Sequence, residues 1–303
     1  MTGDNLYRCL SKLIKGRVTA SEPMSRHTSW RIGGPADFFV EPADSDDLNR
    51  ALAWARSSGV PVVVIGNGTN LLVSDGGIRG LVLKLGAGLS RIEIRDTAIY
   101  AGAGVLLPRL ANRALQAGLA GFEFLAGIPG TVGGALLMNA GANGCSVGER
   151  IQRVEAMDFE GNKVTFDRNE LKFTYRNSCL SHRNLIIIGA GFEGLPCPGI
   201  EIKKRMDQYK SRRRGTQPLE LPNAGSVFKN PPGDSAGRLI ENAGCKEMRV
   251  GGIQVSLRHA NFFVNLGGGT AADVLELVHT VREAVEEKCN VKLSLEVQML
   301  GEF

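Results

Sequence analysis

Glycine in this chain is gathered into a few short segments, and that gathering limits the folds open to it. Of 39 glycines in 303 residues, dense groups lie in GNGTNLLVSDGG (66–77), AGAG (101–104) and GIPGTVGGALLMNAGANG (127–144). The first follows PVVVI (61–65), a β-branched run that reads as a buried strand. Backbone without Cβ atoms can approach a ligand closely and collect N–H groups around phosphate. A dinucleotide fingerprint needs GxGxxG between a strand and the helix that it opens, whereas the residues after GNGTN read as extended. A GxxxxGK[ST] loop is absent as well. Either glycine loop alone reads equally well as a tight turn with close packing. Together, with AGAG between them, they favour a phosphate-bearing ligand.

The flanking segments are a mixture of strands and helices. ADFFVEP (36–42) reads as a strand, and SDDLNRALAWARSSG (45–59) as a helix capped by Ser45, with Leu48, Leu52 and Ala55 on one face. LVLKL (81–85), RIEI (91–94) and AIYAGAG (98–104) are short strands; LPRLANRALQAGL (107–119) is a helix with Pro108 in its first turn. VEAMDFEGNKVTF (154–166) is a hairpin turning at Glu160-Gly161-Asn162, and LIIIGAGF (185–192) a buried strand. A joint near Pro196 leads into a basic helix, 200–215. TAADVLELVHTVREAVEEKCN (270–290) has a Thr270 cap and a stripe of Val274, Leu277, Val278, Val281 and Val285. VKLSLEVQM (291–299) alternates strictly, with Val291, Leu293, Leu295, Val297 and Met299 on one face.

Bulk properties exclude several classes. Thirty-six Lys and Arg against 31 Asp and Glu leave +5, too mild a charge to mark a nucleic-acid binder. The six cysteines are scattered with no CxxC, which predicts reduced thiols in a cytoplasm. The four histidines share no metal-ligand spacing. No apolar run is long enough for a signal peptide or a membrane span, so a cytoplasmic protein without membrane insertion is expected.

RHTSWRIGGPADFFVEP, VIGNGTNLLVSDGG, GFEFLAGIPGTVGGALLMNAGANG, FTYRNS, NAGSVFKNP, AGRLIENAG and the final LEVQ, in this order, resemble the motifs of the UDP-N-acetylenolpyruvoylglucosamine reductase family over residues 26–299. The resemblance implies an α+β chain of the vanillyl-alcohol-oxidase (PCMH-type) FAD-binding fold. Two FAD-binding subdomains, 1–80 and 81–199, would precede a C-terminal α+β substrate-binding domain, 200–303. It implies NADPH-dependent, FAD-mediated reduction of UDP-N-acetylglucosamine enolpyruvate to UDP-N-acetylmuramate, for peptidoglycan synthesis. A monomer is expected. Non-covalent FAD would lie against Gly66, Asn67, Gly68, Thr69, Asn70 and Leu71, and against Gly127, Ile128, Pro129, Gly130, Thr131, Gly133 and Gly134. His27 is then structural or close to the flavin ring.

Hydride addition to an enolpyruvyl double bond loads charge onto its carboxylate and requires one positioned acid. The resemblance assigns enolate stabilisation to Arg176, whose guanidinium stays charged and can grip a carboxylate through two donors. It places Glu296 in the active site, either neutralised by Arg176 or protonated and donating a hydrogen bond. Ser226 becomes the proton donor. A nucleophilic reading of Ser226 fails, because NAGSVF is not GxSxG and no histidine is placed as its base. Candidate substrate-binding residues are Tyr175, Arg213, Lys229 and Asn230. The surrounding cluster of Lys203, Lys204, Arg205, Lys210, Arg212 and Arg214 reads either as a solvated helix face or as UDP-diphosphate contact. No aromatic interleaving or RNA motif accompanies it, which argues against nucleic acid; a basic, non-enzymatic anion-binding module remains the rival from a different class. Family branches differ in a substrate-covering loop bearing a tyrosine. Between Tyr175-Arg176 and Ser226 only Tyr209 occurs, so the chain resembles the branch without that lid. The rival within enzymes is a flavin oxidase of the same fold.

Overall fold

The computed structural model describes residues 3–303. Packing separates the chain into two interleaved units: residues 1–20, 37–67 and 80–212 form the first, and 21–36, 68–79 and 213–303 the second. Each unit gathers stretches that are distant in the chain, which local patterns do not encode.

The first unit holds two sheets. Strands β1 (Arg17–Pro23), β2 (Pro35–Glu41), β3 (Val62–Ile65) and β5 (Ile78–Lys84) are ordered β1-β2-β5-β3, with the outer parts of β1, β2 and β5 running on into the second unit's residues. β3 and β5 pair in parallel, Val62 opposite Leu81. Because β3 is an edge strand, Val62, Val63 and Val64 are only half-buried, a correction to the fully buried strand expected. Helix α1 (Gly3–Leu13) precedes this sheet, and helix α2 (Ser45–Ser58) links its strands β2 and β3, burying Leu48, Ala51, Leu52 and Ala55. Asp44 caps α2, its side chain accepting from the Asp47 N–H at 2.7 Å, and Gly59 ends it in the left-handed region. The cap is therefore one residue earlier than Ser45; two adjacent good caps make the choice invisible in sequence.

The other sheet is five-stranded and antiparallel: Lys163–Asp167, Ile151–Asp158, Leu185–Glu193, β7 (Ala98–Gly102) and β6 (Ile92–Arg95), in that order. The predicted hairpin is present, with Met157 opposite Lys163. Helix α3 (Leu107–Gln116) carries Pro108 in its first turn and buries Leu107, Leu110, Ala111 and Ala114. A short helix, α4 (Val132–Leu137), lies inside the second glycine segment, where glycine content hides its helical tendency. These faces share one apolar core with Ile99, Phe122, Phe124, Val154, Ile187 and Phe192.

Helix α5 (Gly199–Thr216) belongs to the first unit through Arg212 and buries Ile202 and Met206 in its core. In the second unit, helices α6 (Ala236–Asn242) and α7 (Ala271–Cys289) pack with a three-stranded antiparallel sheet, Arg249–Val250, Ile253–Val255 and Phe263–Asn265. The stripe expected on α7 is buried throughout, and Thr270 forms a reciprocal capping box with Asp273. Phe228 and Phe263 meet edge to face, centroids 6.0 Å apart, in a core that includes Trp30 and Leu72. Strand β4 (Leu71–Val73) pairs in parallel with Gln298–Leu300. The alternating stretch 291–297 is not a continuous strand. Its backbone meets a partner at Leu295, bridged to Phe228, and only Leu293 and Val297 are fully buried; Met299 is 41% exposed. Alternation recorded which side chains turn inward, not the presence of a neighbouring strand. The α+β class is as expected.

Candidate active site

Within the first unit the two glycine segments touch. A Cβ on Gly66 would lie 2.5 Å from Thr131 Oγ1, and Asn67 Nδ2 donates to the Pro129 carbonyl at 2.7 Å. AGAG supports the second segment from beneath: Gly133 N–H donates to the Ala103 carbonyl, Val132 N–H to Val105, and Leu107 N–H to Gly130. Thr131 is buried and caps α4, while Ile128 and Gly134 are half-buried around it. Gly127 closes the preceding 3-10 turn. A side chain at Gly66 would run into the Thr131 side chain, so glycine lets the two segments close on each other, and backbone without side chains suits a diphosphate.

Tyr175 and Arg176 form the tip of a two-residue hairpin in the same unit. Thr174 N–H donates to the Asn177 carbonyl at 3.0 Å and Asn177 N–H returns the bond at 3.2 Å. The turn holds Arg176 at φ +53°, a conformation that non-glycine residues adopt at a cost. Arg176 Nη1 donates to the Gly141 carbonyl at 3.3 Å, and its guanidinium lies 5.6 Å from the centre of the Tyr175 ring. Tyr175 is 59% exposed.

The remainder of the first loop belongs to the second unit. Gly68 has φ +64°, and a Cβ there would sit 1.8 Å from the His27 carbonyl oxygen. His27 Nε2 is 3.0 Å from Glu22 Oε1, a buried pair, so this histidine packs beneath the loop. Ser29 N–H donates to the Gly68 carbonyl. Thr69 and Asn70 are half-buried, and Asn70 donates from Nδ2 to the Glu296 carbonyl at 3.1 Å while accepting the Gln298 N–H. Leu71 begins β4.

Ser226 and Glu296 fall on adjoining backbone segments of this unit. Ser226 is bridged to Phe262, the next residue's carbonyl accepts the Glu296 N–H at 2.8 Å, and the Lys229 N–H donates to the Ser294 carbonyl at 2.8 Å. Ser226, Lys229 and Glu296 are half-buried. Asn230 is exposed, and its Oδ1 accepts the Ala236 N–H at 3.0 Å, occupying that oxygen in a cap. Arg213 is half-buried at the end of α5, and burial lowers its pKa from the usual guanidinium value. Of the other helix cations, Arg205 is taken up within the first unit by the buried carboxylate of Glu123, Nε to Oε1 2.9 Å.

The chain matches the FAD binding domain family over residues 36–167 and the UDP-N-acetylenolpyruvoylglucosamine reductase C-terminal domain over 217–300. It is 48% identical to the UDP-N-acetylenolpyruvoylglucosamine reductase of Desulforamulus reducens, covering 97% of each chain, and 39% identical to that of Staphylococcus aureus, covering 100% and 98%. The chain belongs to the UDP-N-acetylenolpyruvoylglucosamine reductase family. The crystal structure of a family member from Thermus caldophilus superimposes with a TM-score of 0.82 at 36% identity, over 95% of this chain and 100% of that one. The FAD-binding fold that the family resemblance implied is thereby in place.

Two asparagines that support these segments were not singled out in the sequence. Asn261, 2% exposed, grips Phe228 twice, accepting its N–H at 2.9 Å and donating to its carbonyl at 2.8 Å. Asn139 ties the second glycine segment to the Arg176 hairpin. Each had one visible signal: a polar residue inside an otherwise apolar or glycine-rich run (RHANFFVN, LLMNAG), which must find partners once buried.

Proposed function

We propose that the protein catalyses NADPH-dependent, FAD-mediated reduction of UDP-N-acetylglucosamine enolpyruvate to UDP-N-acetylmuramate in peptidoglycan synthesis. The observation that carries this reading is family membership along 97% of the chain. The residues present fit FAD, because glycine lets the loop pack against Thr131 at Gly66 and against the His27 carbonyl at Gly68, leaving backbone without side chains to present to a diphosphate. Bound FAD supplies the hydride relay from NADPH to the enolpyruvyl carbon. Gly66, Asn67, Gly68, Thr69, Asn70 and Leu71, with Gly127 to Gly134, hold it.

Ser226 gives the proton that completes the saturated lactyl ether. The adjoining Glu296 segment fixes its backbone through the bond to Val227. Arg176 neutralises charge that builds on the substrate carboxylate, a task suited to a permanently charged, planar donor. Glu296 orients the reacting group. Tyr175, Arg213, Lys229 and Asn230 bind the UDP-sugar, Asn230 through its amide nitrogen because its oxygen caps Ala236. No lid tyrosine is assigned. The enzyme acts as a cytoplasmic monomer; among the described residues no helix is long and apolar enough to cross a membrane.

The test is NADPH oxidation followed at the purified, yellow protein. Turnover that starts only on addition of UDP-N-acetylglucosamine enolpyruvate is expected. Comparable turnover in air without it would identify a flavin oxidase, and a colourless protein unable to take up FAD would identify a binding module.

A further inference from the structure

Asn139 sits at φ +41° just past Met138, the C-cap of α4, and it is 8% exposed. Its amide nitrogen donates to the Thr174 carbonyl at 2.8 Å, and its amide oxygen accepts the Gly148 N–H at 3.2 Å. Thr174 is the residue whose two backbone bonds to Asn177 close the hairpin around Tyr175 and Arg176. Gly148 is also a contact point for that hairpin's approach, since a Cβ there would lie 2.7 Å from the Phe173 ring. A second link runs in parallel: Ser178, 1% exposed, donates from Oγ to the Leu137 carbonyl at 3.0 Å. The far end of the same short stretch is Thr131, whose hydroxyl abuts Gly66. One continuous segment, Thr131 to Gly141, therefore touches the first glycine loop at one end and the Arg176 hairpin at the other.

An arginine at positive φ keeps that conformation where its surroundings over-determine it, and contacts from outside the turn add to the turn's own two hydrogen bonds. Asn139 supplies such contacts, using both halves of its amide. We propose that Asn139 is a positioning residue for Arg176: it fixes the Thr174–Asn177 hairpin so that the guanidinium is presented in one orientation, set by the segment that also lines the flavin loop. The inference rests on the role of Arg176 given above. Misplacement of a binding group by about 1 Å is enough to lower a rate on the order of 100-fold, so a clamp of this kind acts on chemistry without touching substrate.

Asn139→Gly removes both side-chain bonds while tolerating the left-handed backbone; Asn139→Asp keeps the acceptor for Gly148 and loses the donor for Thr174. With FAD-loaded protein, each is expected to slow reoxidation of reduced flavin by the enolpyruvyl substrate about 10- to 100-fold and leave flavin reduction by NADPH within about twofold. Affinity for the product carboxylate, titrated calorimetrically with UDP-N-acetylmuramate, should weaken in parallel. Combining Asn139→Gly with Arg176→Ala should cost no more than Arg176→Ala alone, because residues acting as one unit are non-additive. Losses that multiply in the double variant, or equal loss of both half-reactions, would overturn the proposal. So would a slow Arg176→Ala beside fast Asn139 variants, with the role of Arg176 intact. A wild-type rate in Arg176→Ala would instead remove that role and the proposal with it.

Discussion

The Arg176 hairpin and the bridged segment around Ser226 hold their residues by opposite means. Arg176 stands at φ +53° in a two-residue turn, steadied by the side chain of Asn139. Ser226 lies in bridged backbone, with Phe262 opposite and Glu296 bonded one residue along. The first arrangement spends conformational strain to aim a long cation; the second uses ladder-like bonds to fix a short hydroxyl. Length explains the difference. A guanidinium is set by the whole course of its side chain from a turn, whereas a hydroxyl one bond from Cβ is set by its backbone alone.

The largest expected effect tests the bridged segment. Ser226→Ala should leave flavin reduction by NADPH near normal and slow reoxidation by the enolpyruvyl substrate about 100- to 10,000-fold, read by stopped-flow absorbance. Equal loss of both half-reactions would make Ser226 a residue of folding or binding. Next comes the segment's own clamp. Asn261→Ala orphans a buried N–H and a buried carbonyl of Phe228, so urea unfolding should show a loss of about 2–3 kcal/mol. A loss under about 0.5 kcal/mol would mean that the bridges hold the segment unaided.

Acid should weaken the first unit in a defined window. Burial raises the Asp47 pKa, but the N–H groups of Ala43, Lys15 and Gly16 and the Arg50 guanidinium outweigh it, leaving a value of about 2 against 3.8 in the open chain. Its stabilisation, about 2 kcal/mol, is complete above pH 4 and is lost as pH falls through 2. Asp47→Asn should flatten the stability profile over that range, measured by denaturant melts. The smallest effect is the most direct comparison of the two backbones. Arg176→Gly should be more stable than Arg176→Ala by about 1 kcal/mol, since alanine is strained at positive φ. Ser226→Gly should be less stable than Ser226→Ala by about 0.5–1 kcal/mol. The same sign at both positions would erase the distinction.

Sequence reveals what is local. Helix α7 could be read from Thr270 and a five-residue stripe, because a cap and a periodic face both lie within a few turns. The motifs around Ser226, Arg176 and the glycine loops named the candidate residues, but not what holds them. Asn139 and Thr174 are 35 residues apart, and Asn261 and Phe228 are 33 apart. Short helix α4 was masked by Gly133 and Gly134, and the 291–297 stretch kept the pattern of a strand without a strand beside it. The interleaved units were the least visible, since β4 and its partner at Gln298–Leu300 are separated by most of the chain.

That last pairing bears on how the protein is made. During synthesis Leu71–Val73 emerges early, and Trp30 earlier still, yet their partners at Gln298–Leu300 and Phe263 are more than 200 codons downstream. At ordinary elongation speeds the wait is on the order of tens of seconds. Until it ends, Gly68–Asn70 has no Glu296 or Gln298 to brace it. The nascent chain therefore waits on the ribosome with Leu71–Val73 unpaired and the Trp30 N–H unmet until its distant partners are made.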